Sequence, residues 1–464
     1  MKKNSIETIA KASGGRLIQT GSRTFITGIR HDSREVGLDD MFVAVKGANQ
    51  DGHQYIPQVL DKGCGALLVS DEEAARAAIG NADKADVSVI LAEDTIEAMG
   101  RIAAWYLDSL HIRRAAVTGS VGKTSTRDMI YYVLSEKFSC GRNLKNYNNN
   151  IGIPLSIFQF DEDVEAAVLE MGMDAFGEIE TLSGIVKPEI GVITNIGIAH
   201  MEKLGSREGI FRAKMEITKN ILPAAEGGTL VFAGDEEFLT KERTAGDYAQ
   251  IEIGTGADAD YRISDITDHG IEGISFNIEY EEAGQRECTR IDLPAAGTHN
   301  AVNAGLALAV GRAFGVSIPQ GAEGLKKVEL TGSRLRKIEG AHVRIIDDTY
   351  NANPASMMSA LDVLAGSKAA RRVAVLGDMF ELGPDEKQLH RQVGEHAKAV
   401  GTDVLITIGD LAENIAEGGN GTHFTDTESF LRVLDDYIRP DDLVLVKASR
   451  GMHLEEIVEA LKTR

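Results

Sequence analysis

Cysteine is scarce in this 464-residue chain: Cys64, Cys140 and Cys288 are the three present, odd in number and far apart. That excludes a disulfide framework and leaves no thiolate metal-ligand spacing, so the thiols are expected to be buried or unreactive in a reducing compartment. Basic charge is also in short supply. Lys and Arg number 49 against 71 Asp and Glu, a formal balance of −22, and general nucleic-acid binding would need a basic footprint. Such an excess of acid repels anionic substrates over long range, so any phosphate chemistry must rest on locally placed Lys, Arg, backbone N–H groups and metal ions. Long apolar runs are missing as well: no stretch approaches 18 uncharged apolar residues, which excludes a helical membrane span. No apolar segment follows the basic start Met1-Lys2-Lys3, so a cytoplasmic location is expected rather than secretion. No low-complexity tract or internal repeat interrupts the chain.

What remains is an ordinary globular composition, 43% hydrophobic and 26% charged, long enough for two to four domains. Residues 1–98 mix short extended runs at 24–26, 41–45 and 66–69 with short helical ones, which predicts a small α/β domain. With Asp94 as N-cap, Ile96, Met99, Ile102, Ala103, Tyr106 and Leu110 then recur at helical spacing. Strands are predicted at 115–117, 166–169, 190–193 and 229–232 with helices between, the pattern of a mostly parallel sheet. Strict alternation of apolar and polar residues at 274–280 predicts a half-buried strand, and an Ala-rich helix follows at 300–314. After 338, strands at 343–346, 373–376, 404–407 and 443–446 alternate with helices in a dinucleotide-fold-like domain. The expected architecture is α/β in three domains, 1–98, 99–338 and 339–464, the central one a P-loop-type parallel sheet and the last Rossmann-like.

The sharpest motif is Thr118-Gly119-Ser120-Val121-Gly122-Lys123-Thr124-Ser125, between an apolar strand and an amphipathic helix. Its glycines let the backbone curl so that N–H groups and the helix N-terminus face phosphate oxygens. Lys123 can reach the outer phosphates, and the Thr124 hydroxyl can face Mg2+. The longer P-loop consensus fails, since Val117 stands where its first Gly belongs. Glu170, in Glu170-Met171-Gly172, ends a predicted strand, where a carboxylate can hold Mg2+ beside Thr124 or simply be solvated. His200, in Thr194-Asn195-Ile196-Gly197-Ile198-Ala199-His200, also follows a strand; taken alone it reads more readily as a hydrogen-bonded structural histidine. Lys214, on a predicted helix, reads alone as a solvated lysine.

Together, in this order, these motifs resemble the central domain of the Mur ligases, ATP-dependent amide-forming enzymes of peptidoglycan synthesis related to the folylpolyglutamate synthases. The resemblance continues through Gly297-Thr298-His299-Asn300-Ala301-Val302-Asn303-Ala304, Ser333-Arg334-Leu335 and Asp347-Asp348-Thr349-Tyr350-Asn351-Ala352-Asn353-Pro354 to Leu376-Gly377-Asp378-Met379-Phe380-Glu381-Leu382-Gly383. The last two segments are similar to the branch that joins D-alanyl-D-alanine to UDP-N-acetylmuramoyl-tripeptide. At the N-terminus Asp32-Ser33-Arg34, Met41 to Ala44, Lys46-Gly47 and Asp51-Gly52-His53 resemble a uridine-diphosphate-binding domain. Lys447-Ala448-Ser449-Arg450-Gly451 carries Ala448 where many relatives have Gly.

The resemblance implies ATP on Gly119 to Ser125, with Lys123 at the β- and γ-phosphates and a first Mg2+ on Thr124 and Glu170. It implies a second Mg2+ on His200 and on Lys214, the lysine amine converted by CO2 to a carbamate, an anionic oxygen ligand that a hard Mg2+ prefers. Asn300 and Asn303 would approach the adenine, although helix capping or solvated polarity would also explain them. Arg334 would meet the phosphates and Asp348 the ribose. Ser33 and Arg34, with His53 a further candidate, would contact the UDP-sugar, and Asn351 and Asn353 would face the incoming amine. The implied reaction phosphorylates the tripeptide carboxylate, and the D-Ala-D-Ala amine attacks the acyl phosphate. The partners are then those two substrates, with a monomeric enzyme and a hinge near 330–340. Two other readings remain: the neighbouring branch that adds the third amino acid, L-Lys or meso-diaminopimelate, and a nucleotide-gated binding protein that has lost ligation.

Overall fold

In a computed structural model, residues 1–47, 50–80, 86–143, 146–197, 201–332 and 334–463 are described. They form two compact units, Met1–Gly254 with Leu306–Ser317, and Thr255–Gly305 with Ile318–Arg464. Among the described residues no helix is long and apolar enough to cross a membrane.

The first unit opens with a small sheet of β1 (Arg16–Gln19), β2 (Gly28–Arg30), β3 (Asp40–Val43), β4 (Ala66–Val69) and β5 (Ser88–Leu91), in the order β1-β5-β4-β3-β2. Only the β1–β5 pair is antiparallel. Residues 41–43 and 66–69 are buried without alternation, as strands covered on both faces must be. The helix α1 (Thr95–Leu110) starts where expected, the Asp94 carboxylate accepting from Ile96 N and Glu97 N. Its apolar face, Ala98, Met99, Ile102, Ala103, Tyr106 and Leu107, is buried. The Tyr106 hydroxyl donates to Phe160 O at 2.7 Å and accepts from Lys2 N at 3.0 Å. One continuous core, from Ile9 and Met41 to Leu169 and Ile193, therefore joins the small sheet to the next one.

That next sheet consists of β6 (Arg113–Thr118), β7 (Cys140–Arg142), β8 (Ala166–Glu170), β9 (Ile190–Ile193), β10 (Thr229–Ala233) and β11 (Ala249–Gly254), parallel and ordered β11-β10-β9-β6-β8-β7. β6 is central, with Val117 opposite Glu170 on one side and Thr118 opposite Ile193 on the other. From β6 the chain runs through α2 (Lys123–Ser135) to β7 and β8, then crosses over to β9 and α3 (Arg207–Met215). The reversal of direction opens a crevice at the carboxyl ends of β6, β8 and β9. Short β7 escapes the sequence reading because three residues carry no usable periodicity.

The second unit begins with antiparallel β12 (Tyr261–Asp268), β13 (Ile274–Glu282) and β14 (Gln285–Leu293). β13 shows the predicted alternation, with Ile274, Phe276, Ile278 and Tyr280 buried. The Ala-rich helix α4 (Asn300–Ala313) follows, its residues up to Gly305 belonging to this unit and those from Leu306 to the first. Then come β15 (Arg336–Glu339), β16 (Arg344–Asp348), β17 (Arg371–Gly377), β18 (Val404–Ile408), β19 (Thr422–Phe424) and β20 (Asp442–Lys447). Their order is β15-β16-β20-β17-β18-β19, antiparallel only at β15. Alternate residues feed two cores: Ile346, Ala374, Leu376, Leu443 and Leu445 enter one, Ile345, Val373, Val375, Val444 and Val446 the other. A sheet apolar on both faces must be covered on both, which is the Rossmann-like layering that the strand pattern predicts.

Candidate active site

The loop after β6 is shaped by two glycines. Gly119 has φ +152°, and a Cβ there would lie 1.8 Å from Thr194 Oγ1. Gly122, at φ +81°, forms the N-cap of α2 without any side-chain cap. Backbone N–H groups at the start of a helix have no carbonyl one turn back within the helix, which suits the beginning of α2 to receiving an anion. Lys123 Nζ turns back on its own loop, donating to Gly119 O at 2.8 Å and Ser120 O at 3.2 Å. Val121 is exposed at the tip.

The segment after β9 holds this loop in shape. Asn195 Oδ1 accepts from Ser120 N at 3.1 Å and Val121 N at 2.9 Å, and its Nδ2 donates to Val121 O. Thr194 Oγ1 donates to the same carbonyl at 2.6 Å, and Gly197 N donates to Ser120 Oγ at 2.8 Å. Asn195 stands in the quoted motif, yet nothing local in the sequence marks it as a loop support; only the adjacency of β6 and β9 does.

Glu170, at the end of β8, is buried, and its Oε2 accepts from Thr124 Oγ1 at 2.7 Å. Asn148 Nδ2 donates to its other oxygen at 2.9 Å, while Asn143 brackets its backbone, accepting from Glu170 N and donating to Glu170 O. The solvated reading of Glu170 therefore fails. A hydroxyl and a carboxylate converging beside the helix N-terminus are hard oxygen donors of the kind Mg2+ takes, with nucleotide phosphates and water completing the shell. Among the described residues no group of three or more His, Cys, Asp or Glu side chains is arranged to hold a metal. Lys214, on α3, is only 2% exposed, which also removes its solvated reading. Burial, with the charge of Lys123 as a second cause, holds its amine well below the usual lysine range. His200 lies outside the described residues, as does Ser333.

In the second unit, Asp348 ends β16 and meets Lys447, the end of β20, at 2.6 Å. Asp348 also accepts from Leu335 N at 3.2 Å, and Lys447 Nζ donates to Asn351 O at 2.8 Å. Burial pushes the Asp348 carboxyl up from its ordinary range, against the pull of Lys447. Arg334 lays its guanidinium 4.2 Å from the centre of the Tyr350 ring. Asn300 and Asn303 are buried, Asn303 Nδ2 donating to Asn300 Oδ1 and Asn300 Nδ2 to Ala296 O. Asn353 caps the helix Pro354–Gly366 in a reciprocal box with Ser356, so its side chain already has a structural task. Asn351 is exposed.

In the turn after β2, Arg34 is exposed and forks onto Asp32 through Nε and Nη2, holding that carboxyl far below its usual range. Ser33 is buried and donates to Gln58 Oε1 at 3.1 Å. His53 is fully engaged: Nδ1 meets Asp51 at 2.5 Å and Nε2 accepts from Ser70 N and Asp71 N.

Family models match three stretches of the chain: "Mur ligase family, catalytic domain" at 25–106, "Mur ligase middle domain" at 117–311, and "Mur ligase, glutamate ligase domain" at 333–450. The UDP-N-acetylmuramoyl-tripeptide--D-alanyl-D-alanine ligase of Bacillus subtilis (strain 168) is 37% identical, with 99% of each chain covered. The crystal structure of MurF from Acinetobacter baumannii superposes with a TM-score of 0.88 at 30% identity, covering 100% of this chain and 99% of that one. MurF ligase from Thermotoga maritima, solved in complex with ADP, superposes at 0.78 and 28%, covering 94% and 96%. Matched by three family models and over 99% of its length by a relative 37% identical, this chain belongs to the Mur ligase family.

Proposed function

We propose that this enzyme is an ATP-dependent ligase that adds D-alanyl-D-alanine to UDP-N-acetylmuramoyl-tripeptide, forming the pentapeptide precursor through an acyl phosphate. The observation that carries the substrate assignment is the end-to-end likeness to the Bacillus subtilis ligase of that name. In the reaction the tripeptide carboxylate takes the γ-phosphoryl group of ATP, releasing ADP. The neutral dipeptide amine then attacks the carbonyl carbon, and the tetrahedral adduct expels inorganic phosphate as the amide forms and the amine gives up its proton. Bound at Thr124 and Glu170, Mg2+ supplies charge neutralisation to the phosphates.

The chain's own residues supply positioning. Lys123 leaves its loop carbonyls for the β- and γ-phosphates, where its charge counts most as the γ-phosphoryl group transfers. Gly119, Ser120, Val121, Gly122 and Ser125 complete the phosphate cradle. Asn300 and Asn303 serve the adenine, Arg334 the phosphates and Asp348 the ribose. Ser33 and Arg34 take the UDP-sugar, and Asn351 and Asn353 the incoming dipeptide. The assignment divides the chain into a UDP-sugar domain at 1–98, an ATP domain at 99–338 and a C-terminal domain at 339–464, in a cytoplasmic monomer. Phosphate release measured over a panel of UDP-MurNAc-peptides and amines tests the reading. Turnover is expected with the tripeptide and D-Ala-D-Ala; turnover instead with the dipeptide precursor and L-Lys or meso-diaminopimelate would assign the neighbouring branch.

Lys214 is assigned as a carbamate, serving a second Mg2+ together with His200. Its buried, weakly basic amine supports this, because CO2 adds only to the neutral form. With 13C-labelled bicarbonate, a carbamate carbonyl resonance should appear in the wild type and vanish in Lys214→Ala. A wild-type spectrum without it, at a pH where the enzyme turns over, removes the assignment.

A further inference from the structure

Arg127 and Asp128 sit on α2 just past the phosphate loop, where an adjacent basic and acidic residue usually mark a solvated face. Here both are fully buried. Arg127 Nε and Nη2 reach Asp128 Oδ1 at 3.0 and 2.6 Å, and Arg142, from β7, reaches the same oxygen at 2.8 Å. Arg127 also faces Glu170: its Nη1 lies 3.5 Å from Glu170 Oε2, with both side chains buried, and a buried charge is tolerated where opposite charge and hydrogen bonds compensate it.

From this geometry we infer that Arg127 is a positioning residue for the Glu170 carboxylate, acting with Asn148; the inference rests on Glu170 and Thr124 being metal ligands. Thr124 and Arg127 are three residues apart on one helix and so share a face. Both approach the same oxygen of Glu170, Thr124 with its hydroxyl at 2.7 Å. When that hydroxyl turns its lone pair to a metal, Oε2 loses one partner and keeps Arg127, while Asn148 continues to hold Oε1 at 2.9 Å. The carboxylate thus stays aimed at the crevice through the change. Partners of this outer kind commonly govern metal affinity by ~10–100-fold.

The test is Mn2+ binding to the full chain with ADP present, followed by electron paramagnetic resonance, beside ADP affinity without metal. Arg127→Met is expected to weaken Mn2+ binding by ~10–100-fold while leaving metal-free ADP affinity unchanged, with Arg127→Lys recovering part of the loss. Asn148→Ala should weaken it in the same direction, and it carries the test if Arg127→Met does not fold. A folded Arg127→Met or Asn148→Ala protein that binds Mn2+ as well as the wild type, or better, overturns the inference. Glu170→Gln separates the two levels: if it weakens Mn2+ binding and the Arg127 and Asn148 variants do not, positioning alone is wrong, whereas if it too has no effect the metal assignment falls with it.

Discussion

Lys123→Ala should lower ATP-dependent phosphate release in the presence of both substrates by ~10²–10³-fold, the range seen when a charge-stabilising donor is removed from a transferring group. The protein should remain folded. Lys123 Nζ donates to main-chain carbonyls of its own loop, Gly119 O and Ser120 O. Those carbonyls can turn to water when the side chain is cut back, so the stability change is expected to stay within about 1–2 kcal/mol. The loss should fall on turnover more than on nucleotide affinity, because the N–H groups at the start of α2 and the Thr124–Glu170 pair are untouched. A variant that joins D-Ala-D-Ala to the tripeptide at the wild-type rate would remove Lys123 from the mechanism and with it the reading of the loop.

Gly119→Ala is expected to be strongly damaging. Two costs coincide at this position. A φ of +152° is a conformation that side-chain-bearing residues rarely adopt, at roughly 1–3 kcal/mol. The new methyl group would also press on Thr194, 1.8 Å from Oγ1 and 3.0 Å from Cβ. Turning the Thr194 hydroxyl aside relieves only the first contact, and it breaks the 2.6 Å bond to Val121 O that shapes the loop tip. A destabilisation of about 3 kcal/mol or more and a loss of measurable ADP binding are expected. Trp105, the single tryptophan, lies on α1 against the core of the same unit, so its fluorescence in urea reports this unfolding. Adding Thr194→Ala, which removes the Oγ1 at 1.8 Å, tells the two costs apart: partial recovery relative to Thr194→Ala alone implicates the side-chain clash, and none implicates the backbone. Wild-type stability and ADP binding in Gly119→Ala would contradict the loop geometry itself.

The α/β class, the phosphate loop, the Asp94 cap, the alternation of β13 and the order of motifs from Asp32 to Gly451 were all legible in the chain. Each is decided by residues within a few positions of one another, through hydrogen bonds to nearby N–H groups or through the 2.0 and 3.6 periodicities of strand and helix. The site's chemistry was legible only as a set of candidates. Thr124 meets Glu170 across 46 residues, and Asn195 supports Ser120 and Val121 across 75 and 74. Those meetings exist because β6 lies between β8 and β9, a strand order that no local pattern encodes. Burial behaves in the same way. Lys214 and Arg127 carry long cationic side chains that sequence alone sends to solvent, and the fold encloses both, the one against the charge of Lys123 and the other against Asp128 and Glu170. Conversely, Asn353 and His53, singled out for ligands, are occupied by a helix cap and by an aspartate with two backbone donors. Residue types and local elements belong to the sequence; which charges lose their water, and which partners replace it, is settled only when distant strands are laid side by side.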